Sequence, residues 1–241
     1  GQEMKQIFEE IISKTNITMD RIRSAADEQI INQCIILNKN TYDEYAFQNR
    51  KNISFVLAQN LQAVSDYMFC GCRYLQSVYA SNYQNIEEGE FIKSNESDRV
   101  TGLAQTCFLK QSLKCVFLQN IMHVGEQAFS GCVELEEVCI PHALTVSNKA
   151  FEKCTKLQQA MVGVKEPGPF LFSKCSSLQR VSLPEAEKIS NGMFFGCTSL
   201  QDLSLPNIKI IDEWAFNGCT LLTNIDVPNA LEVRCKAFNE C

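Results

Sequence analysis

Phenylalanine returns along this chain every 22 residues, and that recurrence limits the possible folds more than any other feature. The spacing is 22 from Phe47 to Phe69, Phe69 to Phe91, Phe129 to Phe151, Phe172 to Phe194, Phe194 to Phe216 and Phe216 to Phe238, and 21 from Phe151 to Phe172. A fixed period of this length marks a stack of small identical units. One unit buries almost nothing alone, whereas neighbours in a stack bury a continuous core between them.

Each unit reads Phe-x-x-Cys-x-x-Leu-x-x-Val-x-Leu-Pro, with two looser apolar positions before the next Phe. The unit at Phe194 fills these slots with Cys197, Leu200, Leu203, Leu205, Pro206, Ile208 and Ile211. The unit at Phe216 uses Cys219, Leu222, Ile225, Val227, Pro228, Ala230 and Val233. Apolar residues two apart share one side of a strand. The proline ends the strand, because it has no N–H for the ladder. Strands are therefore expected to include 137–140, 181–183, 203–205 and 225–227, stacked about 4.8 Å apart as a parallel sheet. The Ala-Phe stretch follows polar pairs such as Asn191-Gly192 and Asp212-Glu213, which suits a helical turn on the opposite side. Residues 91–128 are irregular: Phe91 opens a short unit, and Cys107 then takes the Phe slot. Register returns at Leu113, Val116, Leu118, Ile121 and Val124.

The first 30 residues differ in kind. Met4, Ile7, Phe8, Ile11 and Ile12 share one face at helical spacing. Thr18 and Asp20 start a second helical pattern through Ile22, Ala25 and Ala26. Residues 1–30 are thus expected to form a helical cap over the open end of the stack, with the solenoid running over 31–241. Gly1, without an initiator methionine, reads as the remnant of a trimmed tag.

The phrasing over 183–222, Leu-Pro, Ile, Ala-Phe-x-x-Cys-x-x-Leu, resembles the BspA-like leucine-rich-repeat family. The resemblance covers residues 47–241 and, more weakly, the chain from Ile31. It implies an α/β solenoid: a right-handed coil with a parallel concave sheet and a helical N-terminal cap. It also implies a non-enzymatic binding or adhesion module, at the cell surface or secreted, that engages a protein or a glycan. An intracellular leucine-rich-repeat scaffold or regulator is the alternative.

Charge and cysteine placement narrow the field. A formal net charge of -6 argues against nucleic acid, whose binders carry a basic footprint, and against docking on an anionic membrane. No apolar run reaches the ~20 residues that span a bilayer. Of 13 cysteines, Cys72, Cys132, Cys154, Cys175, Cys197, Cys219 and Cys241 share one repeat slot. That slot suits buried thiols acting as small apolar filler. Parallel stacked side chains do not converge as a bridge requires, so Cys132, Cys154, Cys175, Cys197 and Cys219 are expected to be buried and unbridged. Cys70 and Cys72 form a lone Cys-x-Cys, too little for a metal site. His123 and His142 occupy non-equivalent positions, so no catalytic triad forms from the repeat, and Gly163–Gly168 lacks the Lys-Ser/Thr of a phosphate loop. No cofactor is expected.

Period two also names the residues that point away from the core, onto the concave face. They are Phe55 and Leu57, Ser77 and Tyr79, Arg99 and Thr101, Cys115 and Phe117, Glu137 and Cys139, Gln159 and Met161. Arg180 and Ser182, Asp202 and Ser204, Asn224 and Asp226 follow. The early pairs are apolar, the late ones polar, and Phe55 and Leu57 either sit under the N-terminal cap or join the open face. Tyr79, Phe117 and Met161 are therefore expected to be exposed anchors of a partner-binding patch. Arg99, Glu137 and Arg180 are expected to form its polar rim.

Overall fold

The computed structural model describes residues 2–62, 64, 68–81, 102–103 and 113–241. Inner strands run Gln29–Ile31, Cys34–Leu37, Phe55–Ala58, Ser77–Ala80, Cys115–Leu118, Glu137–Ile140, Gln159–Val162 and Arg180–Ser182, in that order across one sheet. A parallel pair, Asp202–Ser204 with Asn224–Asp226, follows along the chain. Apart from Gln29–Ile31, which runs antiparallel to Cys34–Leu37, every pairing is parallel. The chain is a solenoid of stacked coils, and Gln29–Ile31 closes the first edge of its sheet. Three of the late strands start one residue earlier than their apolar positions suggest. The amides of Arg180 and Asn224, for example, already donate to Gln158 O and Gln201 O at 3.1 Å.

Two-residue strands line another side of the coils: Gly102–Leu103, His123–Val124 and Thr145–Val146 form one set, and Lys188–Ile189, Ile210–Ile211 and Glu232–Val233 another. Strands Ser77–Ala80 and Cys115–Leu118 pair directly, Tyr79 opposite Phe117. The outward positions expected at Arg99 and Thr101 lie outside the described residues. From Leu113 onward the register recovers as expected, with Leu113, Val116, Leu118, Ile121 and Val124 all buried.

The expected helical turn around each Phe is absent, and backbone geometry gives the reason. The residue two places after Phe has a left-handed φ in coil after coil, between 57° at Glu240 and 75° at Gly71. The residue two places before Phe does the same at Gln127, Lys149, Phe170, Gly192, Trp214 and Lys236. A helical turn would direct its N–H groups along its own coil. Here every second one points to the next coil: Gly192 N donates to Glu213 O (3.0 Å), Phe194 N to Ala215 O (2.8 Å) and Gly196 N to Asn217 O (2.8 Å), while Phe195 N and Cys197 N bond within their own coil. The turn side is thus a second set of inter-coil hydrogen bonds.

Inside the coils the Phe rings stack at 5.1 Å (Phe129–Phe151), 5.5 Å (Phe151–Phe172), 5.7 Å (Phe172–Phe194) and 5.3 Å (Phe194–Phe216). Such offset stacks add to the apolar burial itself. Cys132, Cys154, Cys175, Cys197 and Cys219 are fully buried and unbridged.

The N-terminal segment does form helices, α1 over Gln2–Thr15 and α2 over Met19–Ser24, the latter capped by Thr18 Oγ1 accepting from Arg21 N at 3.2 Å. Their location corrects the expectation of an end cap. Helix α1 lies on the sheet itself, against strands Ser77–Ala80 and Cys115–Leu118. The expected boundary at residue 30 falls inside strand Gln29–Ile31.

Candidate partner-binding surface

Strand alternation sorts side chains into two separate cores. Ile35, Leu37, Val56, Ala58, Val78, Ala80, Val116 and Leu118 point inward and join the Phe and Cys ladders. Their neighbours Cys34, Ile36, Phe55, Leu57, Tyr79, Cys115, Phe117 and Cys139 point the other way and join Ile7, Phe8 and Ile11 of α1 and Ile22 of α2. The first half of the sheet is therefore buried on both faces, and strands Cys34–Leu37 through Cys115–Leu118 expose no residue.

Cross-strand register aligns the outward side chains in two rows. One runs Leu57, Tyr79, Phe117, Cys139, Met161, Ser182; the other runs Phe55, Ser77, Cys115, Glu137, Gln159, Arg180. Met161 thus shares a row with Tyr79 and Phe117, and Glu137 and Arg180 stand in the adjacent row. These five share one face of the sheet. Arg99 lies outside the described residues.

The expected exposure of Tyr79 and Phe117 is overturned: both are fully buried. The Phe8 ring sits 5.2 Å from that of Tyr79, which sits 4.9 Å from that of Phe117. Helix α1 removes them from water, and burial raises the Tyr79 phenol above its ordinary pKa. Burial pushes the Cys115 thiol up to about 12, and the neighbouring carboxylates of Glu137, Glu10 and Glu136 add to the effect. Met161 is half-buried at the margin of this cluster, Glu137 is half-buried and Arg180 is exposed.

Beyond Met161 the face is open. Arg180, Ser182, Asp202, Ser204, Asn224 and Asp226 are exposed along their strands. Ser204 Oγ donates to Asp226 Oδ2 at 3.4 Å. The row through Tyr79 thus changes from apolar to polar where the cover ends, while the row through Ser77 is mixed throughout. What the sequence reading missed was the reach of the cover, which extends past Phe55 and Leu57 to Tyr79 and Phe117. The signal was present: an apolar helix face without a partner and an apolar sheet row without a partner stood in one chain.

Among the described residues, no group of His, Cys, Asp and Glu could hold a metal ion, and no helix is long and apolar enough to cross a membrane. His123 Nδ1 lies 2.8 Å from Thr145 Oγ1 on the exposed outer side, and His142 is also exposed. Neither histidine is on the sheet face.

The family model for the BspA type leucine rich repeat region (6 copies) matches over residues 5–102, 40–158, 101–223 and 161–241. The chain belongs to the BspA-type leucine-rich repeat family. Its match begins in α1 and so includes the helix on the sheet. Among solved structures, this BspA-type chain is similar to a leucine-rich repeat protein from Bacteroides ovatus, at 19% identity with a TM-score of 0.58. That match covers 87% of this chain and 58% of the other. TLR13, in its complex with ssRNA13, is similar at 17% identity and TM-score 0.51, over 82% of this chain and 30% of that one. A leucine rich cell surface protein from Faecalibacterium prausnitzii aligns at 18% identity and TM-score 0.34, over 80% and 63%. The chain therefore spans less than two thirds of each. At these identities the likeness shows the leucine-rich-repeat fold. No curated protein matches the sequence.

Proposed function

We propose that this protein is a non-enzymatic protein-binding module, displayed at a cell surface or secreted, whose contact surface is the uncovered half of the concave sheet. One observation carries the reading: the outward rows are covered by the N-terminal helices up to Cys139, partly covered at Gln159 and Met161, and open from Arg180 to Asp226. Met161 supplies an apolar anchor at the boundary. Glu137, Arg180, Asp202 and Asp226 supply charges of both signs around it, which set specificity and encounter rate more than affinity. The outward residues are rigidly spaced by the ladder, so little order has to be gained on binding. Leucine-rich repeats are interaction folds, and the free thiols favour a second reading, an intracellular scaffold in a reducing compartment.

The test compares three immobilised full-length chains: wild type, a concave variant (Met161→Glu with Arg180→Glu), and an outer-face control (Lys156→Glu). A protein retained by wild type and control but lost by the concave variant supports the surface. Undiminished retention by the concave variant would overturn it. Labelling of intact source cells with a membrane-impermeant amine reagent separates the two compartments: labelled chain supports display, and unlabelled chain supports the scaffold.

A further inference from the structure

One corner of the coils carries large side chains where its backbone favours none. The slot two residues before each Phe runs Lys149, Phe170, Gly192, Trp214 and Lys236 from coil to coil, and the slot two residues after it runs Lys153, Lys174, Gly196 and Gly218. All nine have a left-handed φ, from 53° at Phe170 to 74° at Gly218. A β-carbon is disfavoured there, and a bulky side chain is an outlier. Phe170 and Trp214 are only half-buried, so core packing accounts for part of their presence and no more. Strained positions of this kind gather where a protein meets a ligand.

The middle of the corner is bare and aromatic. The Phe170 ring lies across Gly192, where a Cβ would stand 2.2 Å from its Cε1. Phe195, whose amide donates to Gly192 O at 3.0 Å, places a half-buried ring 6.5 Å from that of Phe170. Trp214, the chain's single tryptophan, follows one coil beyond Gly192. Phe170 and Trp214 thus stand two coils apart, roughly 10 Å by the ~4.8 Å spacing of stacked strands, which is about the length of two linked pyranose rings.

Lysines flank this strip. Among the described residues, Lys149, Lys153 and Lys174 form no ion pair, whereas Lys156 pairs with Glu134, Lys165 and Lys209 with Glu187, and Lys188 with Asp212. Lys236 lies over the Trp214 ring, its Nζ 4.7 Å from the centroid. The carboxylates of the same corner, Glu152, Glu213 and Glu240, pair with none of these lysines. In a chain of net charge -6, unpaired cations gathered around three rings suit an anion that also has apolar faces.

We propose that this corner binds a linear acidic polysaccharide, with its pyranose C–H faces on Phe170 and Trp214 and its carboxylates at Lys149, Lys153 and Lys174. The negative face of an aromatic ring attracts the weakly positive C–H groups of a sugar, and each lysine offers a compact point charge. A nucleic acid fits less well, because it brings a phosphate with every nucleotide to a chain that is acidic overall. The corner lies on the turn side, apart from the concave sheet, so the two surfaces can be disabled one at a time.

Trp214 reports on the site. The full chain is titrated with an oligomannuronate while tryptophan emission is followed. The expected result is a saturable change in emission, with an apparent Kd that rises with salt as exposed charge pairs are screened. Lys153→Gln with Lys174→Gln, two exposed positions, raises that Kd about tenfold or more. Phe170→Gly does the same, and glycine suits its φ of 53°, so the fold is spared. The concave variant, Met161→Glu with Arg180→Glu, binds as wild type. An unchanged emission, or corner variants that bind as wild type, overturns the proposal. So does an equal response to a neutral cello-oligosaccharide, which has the rings without the carboxylates. An equal response to an oligothymidylate would show a site for any polyanion, and overturns it as well.

Discussion

The thiol of Cys197 donates to the carbonyl oxygen of Phe172, one coil back, across 3.1 Å. The same bond joins Cys154 to Phe129, Cys175 to Phe151 and Cys219 to Phe194. Each thiol therefore fills space and also links its coil to the one before.

Cys197→Ala tests which role matters more. Phe172 O also accepts the amide of Cys175 at 3.0 Å, so losing the thiol orphans no acceptor. The main cost is a void the size of one sulfur in a fully buried slot, about 1–2 kcal/mol by analogy with small truncations in packed cores. Urea unfolding should show a lower midpoint with an unchanged slope. A loss above about 4 kcal/mol would mean the bond outweighs the filling.

Two repeat positions respond to glycine in opposite directions. Lys153 holds φ at 59° in a slot where Gly131, Gly196 and Gly218 serve the other coils. Lys153→Gly should stabilise by about 0.5–1 kcal/mol, because a β-carbon is disfavoured in that conformation. At Gly163 the limit is space: an added Cβ would stand 1.8 Å from Pro141 O in the neighbouring coil. Gly163→Ala should destabilise by about 2 kcal/mol or more, since backbone and not a flexible side chain has to move. Thermal unfolding of the two variants decides both.

Asp212 gives the stack a pH dependence. Burial works against its charge, but the Glu213 amide, Lys188 and Arg234 overcome this and hold its carboxyl below the ordinary carboxylate value. Lys188 Nζ lies 3.2 Å and Arg234 Nη1 3.1 Å from its oxygens. The folded state thus favours the charged form more than the unfolded chain does. The stabilisation is full above the unfolded value of 3.8 and is lost as pH falls through the lower folded value. Asp212→Asn should cost on the order of 1 kcal/mol at pH 7, and the difference from wild type should vanish in strong acid. A constant difference across that range would contradict the assignment.

Tyr79→Phe removes a buried hydroxyl beneath α1. Its neighbour is Ser81, whose Oγ donates to Gln119 Oε1 and keeps lone pairs to accept from Tyr79. Losing that one weak contact should change stability by no more than about 1 kcal/mol. Equilibrium denaturation measures it directly. A larger destabilisation would indicate a strong hydrogen bond between the two hydroxyls.

The sequence by itself determined the coil. A 22-residue period, period-two alternation within each strand and a cysteine in one repeat slot, where stacked side chains run parallel and do not converge, are local signals, repeated until chance is excluded. They correctly predicted the parallel strands, the buried unbridged thiols and the two rows of outward residues. Tertiary structure alone decided three further features. It turned the Phe stretch into left-handed corners, because inter-coil hydrogen bonds compete with a helical turn only once coils are stacked. It joined Ser77–Ala80 directly to Cys115–Leu118, a pairing that 38 residues of sequence separation conceal. It also laid α1 over Tyr79 and Phe117. Alternation states which side of a sheet a residue faces, but a side can be wet or covered. Whether Tyr79 meets solvent depends on Phe8, 71 positions earlier in the chain, and no periodicity links the two.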